Sequence, residues 1–186
     1  MAPGMAVMAV EGVVSDSAES AYRDEATARR KLDRDWSVST EQGKAAVLSG
    51  PGIRIAIMPR SPPRAMRPAR FVLAVHLRPQ APDFTLKPGS VLLKREASDP
   101  RSPDLFAQPV IDAGCLEVSG TASEHSDFVP PRERDVQVRQ DGHCFEVMFE
   151  TAPPVIGEKY TVQIKGLTKS NRQVTVPEVE FLRLPM

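Results

Sequence analysis

The stretch Phe71-Val72-Leu73-Ala74-Val75-His76-Leu77-Arg78 decides how the chain is read. Successive side chains of a strand point to opposite faces, so Phe71, Leu73, Val75 and Leu77 share one face. Val72, Ala74, His76 and Arg78 share the other. A helix would need apolar residues at three- and four-residue spacing, and proline closes the segment at Pro79.

The same period recurs on both sides. Upstream, Ile53, Ile55 and Ile57 alternate with Arg54. Downstream come Phe84 with Leu86, Val91 with Leu93, Leu116 with Val118, and Val136 with Val138. Phe145, Val147 and Phe149 then oppose Glu146 and Glu150, and Tyr160, Val162 and Ile164 follow. The last run, Val174, Val176, Val179 and Phe181, changes parity across Pro177, which predicts a bulge or bend. Short alternating runs at this spacing predict an antiparallel sandwich or barrel, each strand with one wet face. Gly166–Arg172 reads as the loop of a closing hairpin, and Ser49-Gly50-Pro51-Gly52 as a turn after Ala45–Leu48.

Seventeen of the eighteen prolines follow Gly50, which excludes long helices from that part. Residues 51–186 are therefore assigned to a β domain and residues 1–50 to an N-terminal extension. In the extension, Asp16 and Glu19 have the spacing of a helix N-terminal cap. They open one helix over about 16–32, with a thin apolar stripe of Ala18, Tyr22 and Leu32, and Trp36 beyond it. It reads as a surface arm leaning on the domain, or as a docking helix for a partner.

The strings FVLAVHLRPQAPDFTLKPGSVLL (71–93) and YTVQIKGLTKSNRQVTVPEVEF (160–181) resemble bacterial immunoglobulin-like domains in their succession of strand, loop and proline-glycine turn. The resemblance covers about the final two-thirds of the chain. It implies an antiparallel immunoglobulin-like β-sandwich, a fold that serves many functions, and a bacterial, periplasmic or envelope setting rather than a cytoplasmic one. The tryptophan between paired cysteines of antibody-type domains is missing, since Trp36 precedes both cysteines.

Charge and composition narrow the functions. Twenty-four Lys and Arg balance twenty-four Asp and Glu, so the basic excess of a nucleic-acid binder is absent. No apolar run reaches the roughly 18 residues of a membrane helix. Met1–Val14 has no Lys or Arg ahead of its apolar stretch, so it does not read as an export signal; a mature exported chain would look the same.

Cys115 and Cys144 open the similar strings Cys-Leu-Glu-Val and Cys-Phe-Glu-Val. Parity places each thiol on the side of Glu117 or Glu146, the outer face. A disulfide between neighbouring strands, two separate reduced cysteines and a reactive or metal-binding pair are all open from sequence.

No catalytic residue, cofactor or metal site is assigned. Glu124, His125, Asp127 and His143 lack zinc-ligand spacing. A thiol–imidazole dyad of Cys144 with His76 or His125 has neither an orienting group nor an oxyanion site. Glycines never open a helix as phosphate binding requires. Glu117, Glu146, Glu178 and Glu180 read as solubilising charges on outer faces.

The stretch PRSPPRAMRPAR (59–70) carries Arg60, Arg64, Arg67 and Arg70 with no acid and four prolines. It reads as a rigid inter-strand loop, or as a contact for an anionic or proline-recognising partner. The long segments Ala97–Gly114 and Ser119–Asp135 also suit binding loops. The sequence thus predicts a non-catalytic protein-interaction or structural module with a protein partner. A small-molecule or carbohydrate binder, or an enzyme using Cys144 or a carboxylate pair, are the other classes. Oligomeric state is left open.

Overall fold

The structure, a computed structural model, describes residues 8–9, 35–41, 45–60, 70–107, 128–130 and 135–183. The helix expected over 16–32 lies outside them. The described chain is mainly β and every strand pairing is antiparallel.

Ile53–Arg60 (β4) and Phe71–Pro79 (β5) form the centre of the largest sheet. Ile55 opposes Leu77 and Ile57 opposes Val75, so the alternation seen in sequence meets in register. Ser37–Glu41 (β2) and Ala45–Gly50 (β3) extend the sheet beyond β4; His143–Phe149 (β10) and Leu105–Ala107 (β8) extend it beyond β5. The six-stranded order is β2-β3-β4-β5-β10-β8. The shift in proline content at Gly50 is therefore not a break in the sheet: β3 pairs directly with β4. Pro51 and Gly52 make the connecting turn, and the φ of +77° at Gly52 is the left-handed conformation that follows proline in a type II turn.

Two four-stranded sheets complete the described fold. Met8–Ala9 (β1), Val179–Arg183 (β14), Lys159–Ile164 (β11) and Val91–Arg95 (β7) lie side by side in that order. Arg172–Gln173 (β13), Leu167–Lys169 (β12), Phe84–Leu86 (β6) and Val136–Gln137 (β9) form the other. The two are continuous through a kink. β6 reaches β7 through the 3-10 turn Pro88–Ser90, and β11 reaches β12 through Lys165-Gly166. Between Val91↔Ile164 and Leu86↔Leu167, the Lys165 amide donates to the Ser90 carbonyl (3.1 Å) and the Lys87 amide to the Gly166 carbonyl (3.1 Å). Gly166 permits this approach, since a Cβ there would run into the Ser90 side chain and the Lys87 Cβ.

All three sheets feed one hydrophobic cluster. Phe71 of the large sheet meets Tyr160 edge to face at 5.3 Å, and Tyr160 stacks on Phe181 at 5.1 Å. Burial pushes the Tyr160 phenol well above its ordinary pKa. The parity change at Pro177 is a change of sheet: β13 and β14 belong to different ones, while Val176, Val179 and Phe181 all stay in the core. The closing hairpin is tighter than Gly166–Arg172 suggested. Its turn is Ser170-Asn171, both at positive φ (48° and 62°), the mirror-image turn that matches strand twist.

One expectation fails. The second face of β4, β5 and β10 is not wet. Val72, Ala74, His76, Ala56, Met58, Arg60, Cys144, Glu146 and Met148 are all buried. Val72 and Met148 form a second apolar cluster against Leu105 and Phe128. Apart from the half-buried Arg54 and exposed Arg78 at one end, both faces of the central strands are thus withdrawn from water, although every pairing is antiparallel.

Candidate functional site

The buried second face holds Arg60, His76, Cys144 and Glu146. Reading across β4, β5, β10 and β8, one row is Arg60–Val72–Met148–Leu105 and the next is Met58–Ala74–Glu146–Ala107. In the third, Ala56 opposes His76 and His76 opposes Cys144. Arg60 and Glu146 lie in adjacent rows, and Arg60 Nη1 donates to Glu146 Oε1 at 3.2 Å, with side chains 4% and 1% exposed. Burial pushes the Arg60 pKa down, and the charge and hydrogen bond of Glu146 oppose that shift. This is a buried ion pair, so Glu146 is not a solubilising surface charge.

Cys144 is 1% exposed, so its outer-face position does not put it in water. Cys115 lies outside the described residues. His76 is buried directly opposite Cys144 and is not a solvated side chain. His143 faces the other way, into the main core, stacked on Phe145 at 4.4 Å. Burial lowers its pKa below 6.5; a hydrogen bond with the Gln137 backbone works against that. Among the described residues no three His, Cys, Asp or Glu side chains converge as metal ligands. Glu124, His125 and Asp127 lie outside them. No helix among the described residues is long and apolar enough to cross a membrane.

Where the basic stretch is described, Arg60 is turned inward and Arg70 is half-buried at the surface. Arg60 is committed to Glu146, and Arg70 pairs with Glu150 at 2.9 Å. Arg64 and Arg67 lie outside the described residues. Arg60 is therefore unsuited to a surface contact, because its parity points it into the buried face.

The feature that sequence reading passed over is the loop between β10 and β11. Val155 and Ile156 are 67% and 62% exposed, and stand with Val129 as the large exposed hydrophobics among the described residues. The loop that presents them is braced. Arg95, at the end of β7, grips Glu158 with two parallel bonds (Nε to Oε1 2.6 Å, Nη2 to Oε2 2.7 Å). Its Nη1 also donates to Thr151 Oγ1 (2.9 Å) and the Ala152 carbonyl (2.8 Å). Glu158 in turn accepts from the Val155 amide at 2.9 Å and donates its own amide to the Val155 carbonyl at 3.0 Å. The Gly157 amide donates to the Arg183 carbonyl at 2.8 Å, and Arg183 Nη1 donates to the Pro154 carbonyl. The Arg95 hydrogen bonds hold the Glu158 carboxyl below its ordinary pKa of 4.5.

Pro153 and Pro154 have no amide hydrogen and restrict φ, so they stiffen the loop further. The loop's polar atoms turn toward the sheet while Val155 and Ile156 turn outward. Three of the cations beside it are matched by carboxylates, Arg95 with Glu158, Lys159 with Glu180 (3.2 Å) and Arg70 with Glu150, while Arg183 is held by the Pro154 carbonyl. The result is a braced, apolar tip. The sequence signal was Pro-Pro-Val-Ile-Gly (153–157), two β-branched residues inside turn punctuation. Comparison of the chain with protein-family profiles, with curated proteins and with solved structures returned no match.

Proposed function

We propose that the chain is a non-catalytic protein-interaction module, an immunoglobulin-like sandwich of the bacterial envelope, that docks through the Val155–Ile156 tip. The braced exposure of these two residues carries the reading. A loop already fixed in its bound form gives up little conformational entropy on association. Each aliphatic side chain contributes roughly 1.5–3 kcal/mol on full burial. About two-thirds of that is available here, because that share of each side chain is exposed. With Arg70, Arg95 and Lys159 paired, Arg183 is not part of a cluster of unmatched cations such as an anionic lipid surface would need, which favours an apolar pocket on a folded protein. The sandwich assignment is supported by the single core shared by all three sheets, and the envelope setting by the resemblance of residues 71–93 and 160–181 to immunoglobulin-like domains.

The test is a photo-crosslinking amino acid placed at Ile156 and, as a control, at exposed Arg172, in the cells that make the protein. A protein adduct from position 156 alone is expected. The purified partner should then bind Ile156→Asp at least tenfold more weakly than the parent chain. Equal adducts from both positions, an adduct with lipid alone, or unchanged affinity of Ile156→Asp overturns the assignment.

A further inference from the structure

We infer that Cys144 is joined by a disulfide to Cys115, tying the chain that leaves β8 to the buried second face of the six-stranded sheet. This inference is independent of the apolar tip. No free cysteine occurs among the described residues, and the chain has two cysteines in all. Cys144 is 1% exposed near the start of β10, so its sulfur is screened from a second molecule. An intramolecular partner is the remaining one, and Cys115 is the only residue that supplies it.

The topology brings the required reach. β8 is the strand next to β10, and Ala107 stands directly opposite Glu146. Cys144 lies two residues from Glu146 on the same face, about 7 Å along the strand. Ala107 to Cys115 is eight residues, which can span roughly 26 Å when extended. The chain also returns to this face: Phe128 packs against Val72 and Met148, and Val129 bridges to Phe106 of β8. Ala107 and Phe128 therefore both lie beside β10, the strand that carries Cys144.

Formation of the bond takes one proton and one electron from each thiol. A disulfide-bearing oxidant accepts both electrons by thiol–disulfide exchange and departs as its dithiol. Reduction is the reverse, and an incoming thiolate must reach a sulfur that the native fold covers. The bond is thus a structural staple of an oxidising compartment that opens only when the second face opens.

The experiment uses the full chain, refolded in a glutathione redox buffer. Alkylation in guanidinium without reductant should add no label, and alkylation after reduction should add two. Non-reducing proteolysis should yield one peptide pair joining Cys115 to Cys144. Reduction by dithiothreitol should run on the order of 100-fold or more slower on the native protein than in guanidinium. Two labels without reductant, a disulfide-linked dimer, or equal reduction rates in both states overturns the inference. The first of these results would also return His76 and Cys144 to consideration as a thiol–imidazole pair. The mapping uses the wild-type chain, so it does not depend on whether Cys115→Ser or Cys144→Ser folds.

Discussion

Replacing Glu146 by leucine while keeping Arg60 should unfold the protein far more readily than replacing both. The two side chains meet at 3.2 Å and are 1% and 4% exposed. Removing one partner leaves the other charge in a site from which water is excluded. Such changes cost about 3–5 kcal/mol. For a chain of this length, each kcal/mol moves the melting temperature by about 2–4 °C, so Glu146→Leu should lower it by roughly 6–20 °C. The double variant Arg60→Met/Glu146→Leu removes both desolvation penalties. Its neighbours on the face are Val72, Met58, Ala74 and Met148, all apolar. Replacement of a buried pair by apolar groups of similar volume is often neutral or gains about 1–4 kcal/mol. The assay is urea unfolding of the four proteins of the cycle, followed by Trp36 fluorescence. Trp36 suits this because its ring lies against Gly50 and packs on the core. The reasoning is refuted if Glu146→Leu costs under about 1 kcal/mol, or if the double variant is as unstable as the two single variants added together.

Two further outcomes follow from the titrating groups. His143 has a folded-state pKa below 6.5 because burial disfavours its charge, so the unfolded chain binds the extra proton first. Stability should fall as pH drops below 6.5 until the folded pKa is passed, by at most about 1.4 kcal/mol per pH unit; pH-dependent denaturation should show that slope diminished in His143→Phe. Glu158 has a folded pKa below 4.5, so its contribution is fully present above the unfolded value and is lost as pH falls through the folded one. Glu158→Gln should cost about 1–2 kcal/mol at neutral pH, the difference from wild type should shrink below about pH 4.5, and amide exchange at Val155 and Gly157 should quicken.

The fold was legible where alternation survived in the sequence. Ile53, Ile55 and Ile57, then Phe71, Leu73, Val75 and Leu77, and Phe145, Val147 and Phe149 all point into the common core as parity required. The burial of the opposite face was legible in part. Phe71 to Leu77 is apolar on both parities apart from His76, and near-continuous apolar runs mark strands covered on both sides. What misled was treating single polar residues as proof of water. Glu146 in β10 lies between Cys144 and Met148 on its face, and Arg60 in β4 follows Ala56 and Met58. Alternation cannot distinguish a solvated charge from one neutralised across two strands, because the pairing is set by register between segments 86 residues apart. The kink at Gly166 escaped for the same reason: the constraint comes from Ser90 and Lys87 on another strand.

The candidate site divides along the same line. From sequence Arg60 reads as a partner contact, Cys144 as a disulfide or reactive thiol and Glu146 as a solubilising charge, and the fold buries all three on the second face. Val155 and Ile156 attract no attention, because two aliphatic residues in a sequence look like core. Their outward direction is imposed by Arg95, Glu158 and Arg183, which lie on three different strands or their ends and draw the loop backbone inward. Ionic chemistry in this protein thus serves to hold shape, in the Arg60–Glu146 pair and in the Arg95–Glu158 brace alike. The tip proposed for docking is apolar and braced. That arrangement fits binding through shape and desolvation, and it makes the tip, with its flanking brace, the place where a single substitution should separate folding from function: Ile156→Asp touches exposed carbon, whereas Glu158→Gln loosens the loop that presents it.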